Sequence, residues 1–313
     1  MGIRILNPGL LTSIQDAGRF GYCAYGMSEA GALDLPSMKI ANLLVGNRAE
    51  EAVLEMTMYG ATIEFTSNCV IAMTGADMEP KLNDQPIRCY ESVEVKTGDI
   101  LTCVYARTGC RAYLAFLGGL KVPVIKGSKS THLGCKLGGL LGRGLKAMDE
   151  IEFEERENVS IKPRQWLLKT DHIVKDKKII RVVIGPQEDA FTKEGIQDFL
   201  STSYEVTMDS NRMGCKLSGK PIEMKNGADI ISDGITLGAI QISSNGQPIV
   251  MLAERQTTGG YAKIGTIIQA DLPTFVQVKP REQVFFQAVS VNKARRIYKK
   301  EDRKFRKLSG KLV

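Results

Sequence analysis

The stretch "ERQTTGGY", residues 254–261, sits between two apolar runs, "QPIVML" and "KIGTII", that read as buried strands. Its polar residues are of types that bind oxygen anions. Thr257 and Thr258 offer hydroxyls, and Gly259 and Gly260 let a ligand approach the backbone closely. Arg255 carries a planar fork of donors, and Tyr261 can cover a small molecule. Such a set suits a carboxylate, a carbamate or a phosphate. Four further loops have the same make-up. "QDAGRFGY" (15–22) presents Asp16 and Arg19, "MTGADM" (73–78) presents Thr74 and Asp77, "DSNRMGCKLSG" (209–219) presents Asn211 and Arg212, and "ISDGITLGAIQIS" (231–243) presents Asp233. Each glycine also has a plain reading as a turn residue with positive φ, and each Arg–Asp combination a plain reading as a structural salt bridge. Five such loops in one chain favour a binding mouth, because ligand-contacting residues gather on loops that rim a barrel.

Other chemistries lack their residues. His132 and His172 stand far apart in the chain, so a histidine-rich metal centre is not expected. Neither a G-x-x-x-x-G-K-[ST] loop nor a G-x-S-x-G elbow occurs. "GSKSTHLG" (127–134) lacks the spacing of a phosphate loop, and the glycine-rich "LGGLLGRGL" (137–145) does not follow a strand–helix–strand context. The seven cysteines form no C-x-x-C pair, and most read as small buried hydrophobes rather than zinc ligands or disulfides. No segment has the form of a biotinyl or phosphopantetheine carrier, so no covalent cofactor is expected, and no residue is assigned a catalytic role.

The elements that must position these loops are mostly strands. Short runs such as "ATIEF", "CVIAMTG", "CRAYLAFLGG", "IIRVVIG" and "QVFFQAV" alternate with Gly, Pro, Asn and Asp. Helical periods appear over 34–46, with Asp34 as N-cap and Gly46 as stop, and over 189–202. Three segments, "VKTGDILTCV", "LKAMDEIEF" and "VKPREQVFFQAV", share a Lys, a short turn, an acid or polar residue and an apolar strand. Each reads as a turn into a closing strand. The expected organisation is mainly β: one β-barrel domain over 1–155, a charged linker over 156–178, a second β-barrel domain over 179–290 and a basic tail over 291–313.

Charge is concentrated in that tail. Residues 291–313 hold ten Lys or Arg and two acids, so the net charge of +7 leaves the remaining chain near −1. The body therefore has no electrostatic footprint for nucleic acid. The tail reads as a partly amphipathic helix with a basic face, either simply solvated or touching an acidic partner. No apolar run is long enough to span a membrane, and no signal-peptide layout is present, so a cytoplasmic protein is expected.

Together the motifs "GLLTSIQDAGRFGY", "GALDLPSMKIANLLVGN", "MTGAD", "GSKSTHLG", "GPQEDAF", "NRMGCKLSG" and "GQPIVMLAERQTTGGYAKIGTI" resemble the family of 5-oxoprolinase C subunits, also called KipA or allophanate hydrolase subunit 2. The resemblance runs in order from about Gly9 to Phe286. It implies two cyclophilin-like barrels and a complex with a KipI-like B component and an A component, which opens 5-oxo-L-proline to L-glutamate with ATP. Two other readings share the same motifs: the carboxyltransferase half of a biotin-dependent urea or amide carboxylase, and a regulatory protein that binds a KipI-like kinase inhibitor. Asn211 and Glu254 stand where the family usually has Asp, and Ala262 where Pro is frequent. Asn211 cannot serve as an acid or base but keeps an amide for binding.

Overall fold

The computed structural model describes residues 1–154, 163–166 and 178–310. They are mainly β and divide into two compact units, Met1–Arg19, Ala30–Val174 and Lys307–Val313 in the first, and Phe20–Glu29 with Lys175–Arg306 in the second. Two segments fall differently from the sequence reading. Phe20–Glu29 groups with the second unit, through an ion pair described below. Residues 163–166, within the expected linker, bond to the first unit instead: Ser92 N donates to Arg164 O at 2.9 Å, and Trp166 N to Tyr90 O at 2.8 Å. The rest of the expected linker lies outside the described residues.

In the first unit a six-stranded sheet runs in the order Glu150–Glu152, Gly2–Asn7, Thr62–Phe65, Ile100–Thr102, Lys81–Leu82, Gln85–Pro86. A five-stranded sheet runs Leu11–Gln15, Val53–Thr57, Thr108–Phe116, Cys69–Asp77, Ser92–Val95. Alternating residues such as Ile3, Ile5, Leu54, Phe65, Leu114 and Phe116 fill one buried core. The helix α1, Leu35–Leu44, starts where expected: Asp34 accepts from Ser37 N at 3.1 Å. Met38, Ala41 and Leu44 are fully buried at helical spacing, and α1 packs on the strands Cys69–Asp77 and Thr108–Phe116.

In the second unit seven strands close a barrel in the order Lys178–Ile184, Lys263–Ile267, Ala239–Ile242, Pro248–Met251, Gly214–Gly219, Ser203–Val206, Gln283–Ala288. The seam is a parallel pairing, Lys178↔Val284 to Val182↔Ala288. Helix α2, Lys193–Ser201, is capped by Thr192, and its Phe199 stacks on Phe286 of the strand Gln283–Ala288 with centroids 4.6 Å apart. Burying a ring of that size is worth roughly 2–3 kcal/mol. Helix α3, Leu272–Val276, follows Asp271, whose carboxylate takes Arg181 N at 2.7 Å and Arg181 Nε at 2.8 Å. Helix α4, Val291–Ser309, is the basic segment foreseen from the sequence.

The shared sequence pattern proves to be one turn used three times. Lys96 N donates to Asp99 Oδ2 at 2.7 Å, Lys146 N to Asp149 Oδ2 at 2.7 Å, and Lys279 N to Glu282 Oε2 at 3.0 Å. Each acid's own N–H returns to the lysine carbonyl, at 3.0, 3.2 and 3.1 Å. The third residue has left-handed φ every time: Gly98 at 90°, Met148 at 69° and Arg281 at 71°. That is the arrangement of a type II turn, where glycine is the unstrained choice. Met148 is exposed, and a Cβ at Gly98 would meet nothing within 4 Å, so substitutions there isolate the conformational term. Met148→Gly is expected to raise, and Gly98→Ala to lower, the unfolding free energy by about 1 kcal/mol each. Equal denaturation midpoints for both variants and the parent would contradict this account.

Candidate functional site

The barrel strand Pro248–Met251 ends in a turn closed by Arg255 N to Leu252 O at 3.1 Å. The chain then leaves the barrel as the strand Thr258–Tyr261 and returns as Lys263–Ile267. Thr258–Tyr261 pairs with Asp229–Gly234 alone, making a two-stranded arm. The register runs Gly234↔Thr258, Asp233↔Gly259, then jumps to Asp229↔Tyr261, so the strand carrying Asp233 bulges outward. Gly259 is closely packed, since a Cβ would approach Ile235 Cδ1 to 2.7 Å and displace the tip of that side chain, while Gly260 has ordinary room. The N–H of Ala262 donates to Ala228 O at 2.9 Å, a bond that a proline could not make.

The arm carries the exposed predicted donors. Thr258 is exposed, and Thr257, Gly259, Gly260 and Tyr261 are half-buried. Neither threonine hydroxyl bonds another described group, so both are open to a ligand. At the base of the arm lies a group that sequence reading only half found. The ammonium of Lys263, on a side chain 3% exposed, is 3.0 Å from Asp233 Oδ2. Gln187 Nε2 donates to the same oxygen at 3.1 Å, and Gln187 Oε1 accepts from Lys263 N at 3.1 Å. The Lys263 hydrogen bond, then the Gly234 N–H and Gln187, hold the Asp233 carboxyl below its ordinary value. Asp233 is therefore a carboxylate half open to solvent with a buried cation behind it, a fixed dipole at the foot of the arm.

Arg212 and Arg255 do not face solvent. Arg212 Nε pairs with Glu254 Oε1 at 2.6 Å, with both side chains nearly fully buried. Arg255 Nη1 pairs with Glu29 Oε2 at 2.8 Å, and its Nε donates to Ile235 O at 3.0 Å. The guanidinium thus ties the Phe20–Glu29 segment to the foot of the arm. Glu29 also accepts from Cys23 Sγ at 3.3 Å. Burial pushes the Cys23 thiol up, helped by that carboxylate. Burial alone would raise the Glu29 carboxyl, but the hydrogen bonds from Arg255 and a backbone N–H hold it below its ordinary value. Asn211 is exposed, and its Oδ1 accepts from Met213 N at 2.8 Å and Gly214 N at 3.1 Å. An Asp would cap that turn equally, which is why the lost charge leaves the loop intact.

The first-unit residues are held more tightly. Asp16 is buried and accepts from Ser128 Oγ at 2.8 Å, Lys129 N at 2.6 Å and Ser130 Oγ. Arg19 is fully buried, donating to Ile125 O at 2.9 Å and Ser130 O at 2.9 Å. The loops 15–22 and 127–134 therefore form one knot, and a Cβ at Gly138 would strike Ser130 O at 2.1 Å. Thr74 Oγ1, also buried, donates to Ser37 O at 2.7 Å beneath α1. Asp77 lies on the rim of an open groove of about 730 Å³ and pairs with Arg107 Nη2 at 2.6 Å.

Lys263, Gln187 and Glu29 are the residues that sequence reading missed. A lysine inside the apolar run "KIGTII" was the available signal for the first, and the motif "GPQED" contained the second. Among the described residues no group of three or more His, Cys, Asp or Glu is placed to hold a metal ion. Burial pushes Cys69 up to about 11 and both Cys89 and Cys103 up to about 12, so these remain inert thiols.

Two expected outcomes follow from the ion pairs. Arg212→Ala leaves Glu254 buried without its cation and should cost about 3–5 kcal/mol, whereas the double change Arg212→Met with Glu254→Leu should fold at nearly parental stability. Denaturant titrations of the three proteins check this. The depressed Glu29 carboxyl contributes stability that is complete above its ordinary value of 4.5 and is lost as pH falls through its lower folded value. Glu29→Gln should therefore flatten the stability profile below pH 4.5, measured as melting temperature against pH. An unchanged acid limb would show that Glu29 is not held this way.

The chain matches the carboxyltransferase domain, subdomain A and B, over residues 25–288. It is 35% identical to the 5-oxoprolinase C subunit of Escherichia coli over 99% of this chain and 98% of that protein. The corresponding protein of Haemophilus influenzae is 32% identical over 96% of this chain and 95% of its own length. Among solved structures, the Kluyveromyces lactis urea amidolyase superposes with a TM-score of 0.90 at 30% identity, over 98% of this chain and 20% of that chain. The chain thus spans about one fifth of the length of that polypeptide. The chain belongs to the carboxyltransferase-domain family, in the branch that contains the C subunits of 5-oxoprolinase.

Proposed function

We propose that the chain is the non-autonomous C subunit of an ATP-dependent 5-oxoprolinase, a cytoplasmic complex with an A component and a KipI-like B component that hydrolyses 5-oxo-L-proline to L-glutamate. The observation that carries this reading is the end-to-end match, 98% of the length of a 5-oxoprolinase C subunit. The arm supplies the binding chemistry. The free hydroxyls of Thr257 and Thr258 take the substrate's carboxylate, Gly260 lets it approach the backbone, and Tyr261 lies over it. Asp233, backed by Lys263, faces the amide end. An ionised carboxylate there accepts from the lactam N–H, and the charge that develops on the amide oxygen is met by ATP-dependent activation in the complex. Arg212 and Arg255 hold the loops of the second unit in place, and Asp16 and Arg19 tie together loops within the first. ATP enters as a substrate of the whole complex.

A second reading has its own support: the chain is 33% identical to the urea amidolyase of Saccharomyces cerevisiae over 98% of this chain and 18% of that protein. It would make the chain the acceptor half of a biotin-dependent amide carboxylase. Co-expression with the A and B components, followed by an assay of ATP hydrolysis with 5-oxoproline or urea, separates the two. The purified chain alone is expected to turn over nothing, and the reconstituted complex to hydrolyse ATP only with 5-oxoproline. Turnover by the lone chain, or biotin-dependent carboxylation of urea, would overturn the proposal. Thr258→Val should lower kcat/KM of the complex about tenfold, the worth of one hydrogen bond to a charged group, at unchanged melting temperature.

A further inference from the structure

Helix α4 carries its charge on one side. Ala294, Ile297 and Phe305 are half-buried, spaced so that they share one face. Its two acids lie off the outer face: Asp302 pairs with Arg306 Nε at 2.9 Å, and Glu301, seven residues after Ala294, falls on the side of the apolar stripe. Opposite the apolar stripe, Lys293, Arg296, Lys299, Lys300, Arg303 and Lys304 are all exposed, and among the described residues none of them forms an ion pair. At 100° per residue they fall within about 140° of one another, along about 16 Å or three turns. The stripe lies beyond the residues matched to the carboxyltransferase domain, which end at 288. The site proposed above makes no use of it.

We infer that this stripe is a docking surface for an acidic α-helix of a partner protein. Three features select that occupant. The cations repeat every three or four residues, so their rows advance with the helical pitch of about 5.4 Å, which another helix bearing Glu or Asp at the same spacing matches turn for turn. The stripe contains no aromatic or aliphatic side chain, so it offers neither a stacking platform for bases nor an apolar face for a bilayer. The rest of the chain is near −1, so it adds no attraction for a polyphosphate whose charges extend far beyond three turns.

The test uses the full chain and a fluorescent 21-residue Ala-based peptide with Glu every third or fourth residue on one face. A second peptide has the same composition with the Glu residues distributed around the helix. Anisotropy titrations at low salt should show the striped peptide binding at least fivefold more tightly than the scrambled one. Raising NaCl to 0.5 M should weaken it at least tenfold. The variant Arg296→Gln, Lys299→Gln, Lys300→Gln, Arg303→Gln should lose at least tenfold at an unchanged melting temperature, because Gln keeps the helix and all four side chains are exposed. Equal binding of the two peptides would reduce the stripe to bulk charge and overturn the inference. So would tighter binding to a 21-base-pair DNA duplex or to phosphatidylserine vesicles, or a variant that binds as the parent does.

Discussion

The parallel seam between Lys178–Ile184 and Gln283–Ala288 is the constraint on which the second unit rests. Parallel neighbours cannot be joined by a hairpin, so every other strand of the barrel must be laid down between these two. Closure removes the sheet edges and fixes where strands enter and leave. The arm exists because two barrel strands, Pro248–Met251 and Lys263–Ile267, lie on either side of Ala239–Ile242 and their connection must span it. That connection is long enough to form a strand of its own, which recruits Asp229–Gly234.

The ion pairs around the arm act as fasteners, each placing charge where solvent cannot reach it. Arg212–Glu254 is fully enclosed, Arg255–Glu29 is enclosed on the arginine side, and Lys263–Asp233 is enclosed on the lysine side. The gradation decides what each pair can do. An enclosed pair orders the loop in which it sits and is indifferent to the solvent. A pair with one open end presents a charge whose direction is fixed by the buried member. Asp233 is the residue so presented.

Much of the fold was legible because it rests on local rules. Asp34 caps α1 and Gly46 follows it, as residue type alone suggests. The three Lys-turn-acid segments were legible as a recurrent unit because a short acid can reach back only to the backbone N–H three residues before it. The candidate site was less legible, and the reason is burial. Arg255 and Arg212 look like ligand-binding residues in the sequence, but their partners, Glu29 and Glu254, are set by tertiary packing, and Glu29 is more than two hundred positions from Arg255. Composition could identify Asp16 and Arg19 as members of a polar loop. It could not tell that the serines of 127–134 close over them. Lys263 was hidden for the opposite reason, since a lysine in an apolar strand looks like an edge position until its ammonium is seen to be buried.

The seam has a consequence for how the chain is made. Lys178 and Val284 pair across about a hundred residues, and a ribosome adds roughly 5–20 residues each second. The strand Lys178–Ile184 therefore spends several seconds with both edges unpaired before Lys263–Ile267 and its parallel partner have been synthesised. Such a strand is a template for neighbouring nascent chains. The sequence answers with charge: "KDKK" immediately precedes the apolar run "IIRVVIG", and Arg181 interrupts it. In the finished protein Arg181 is taken up by Asp271, so a residue that keeps the young strand soluble later anchors the start of α3.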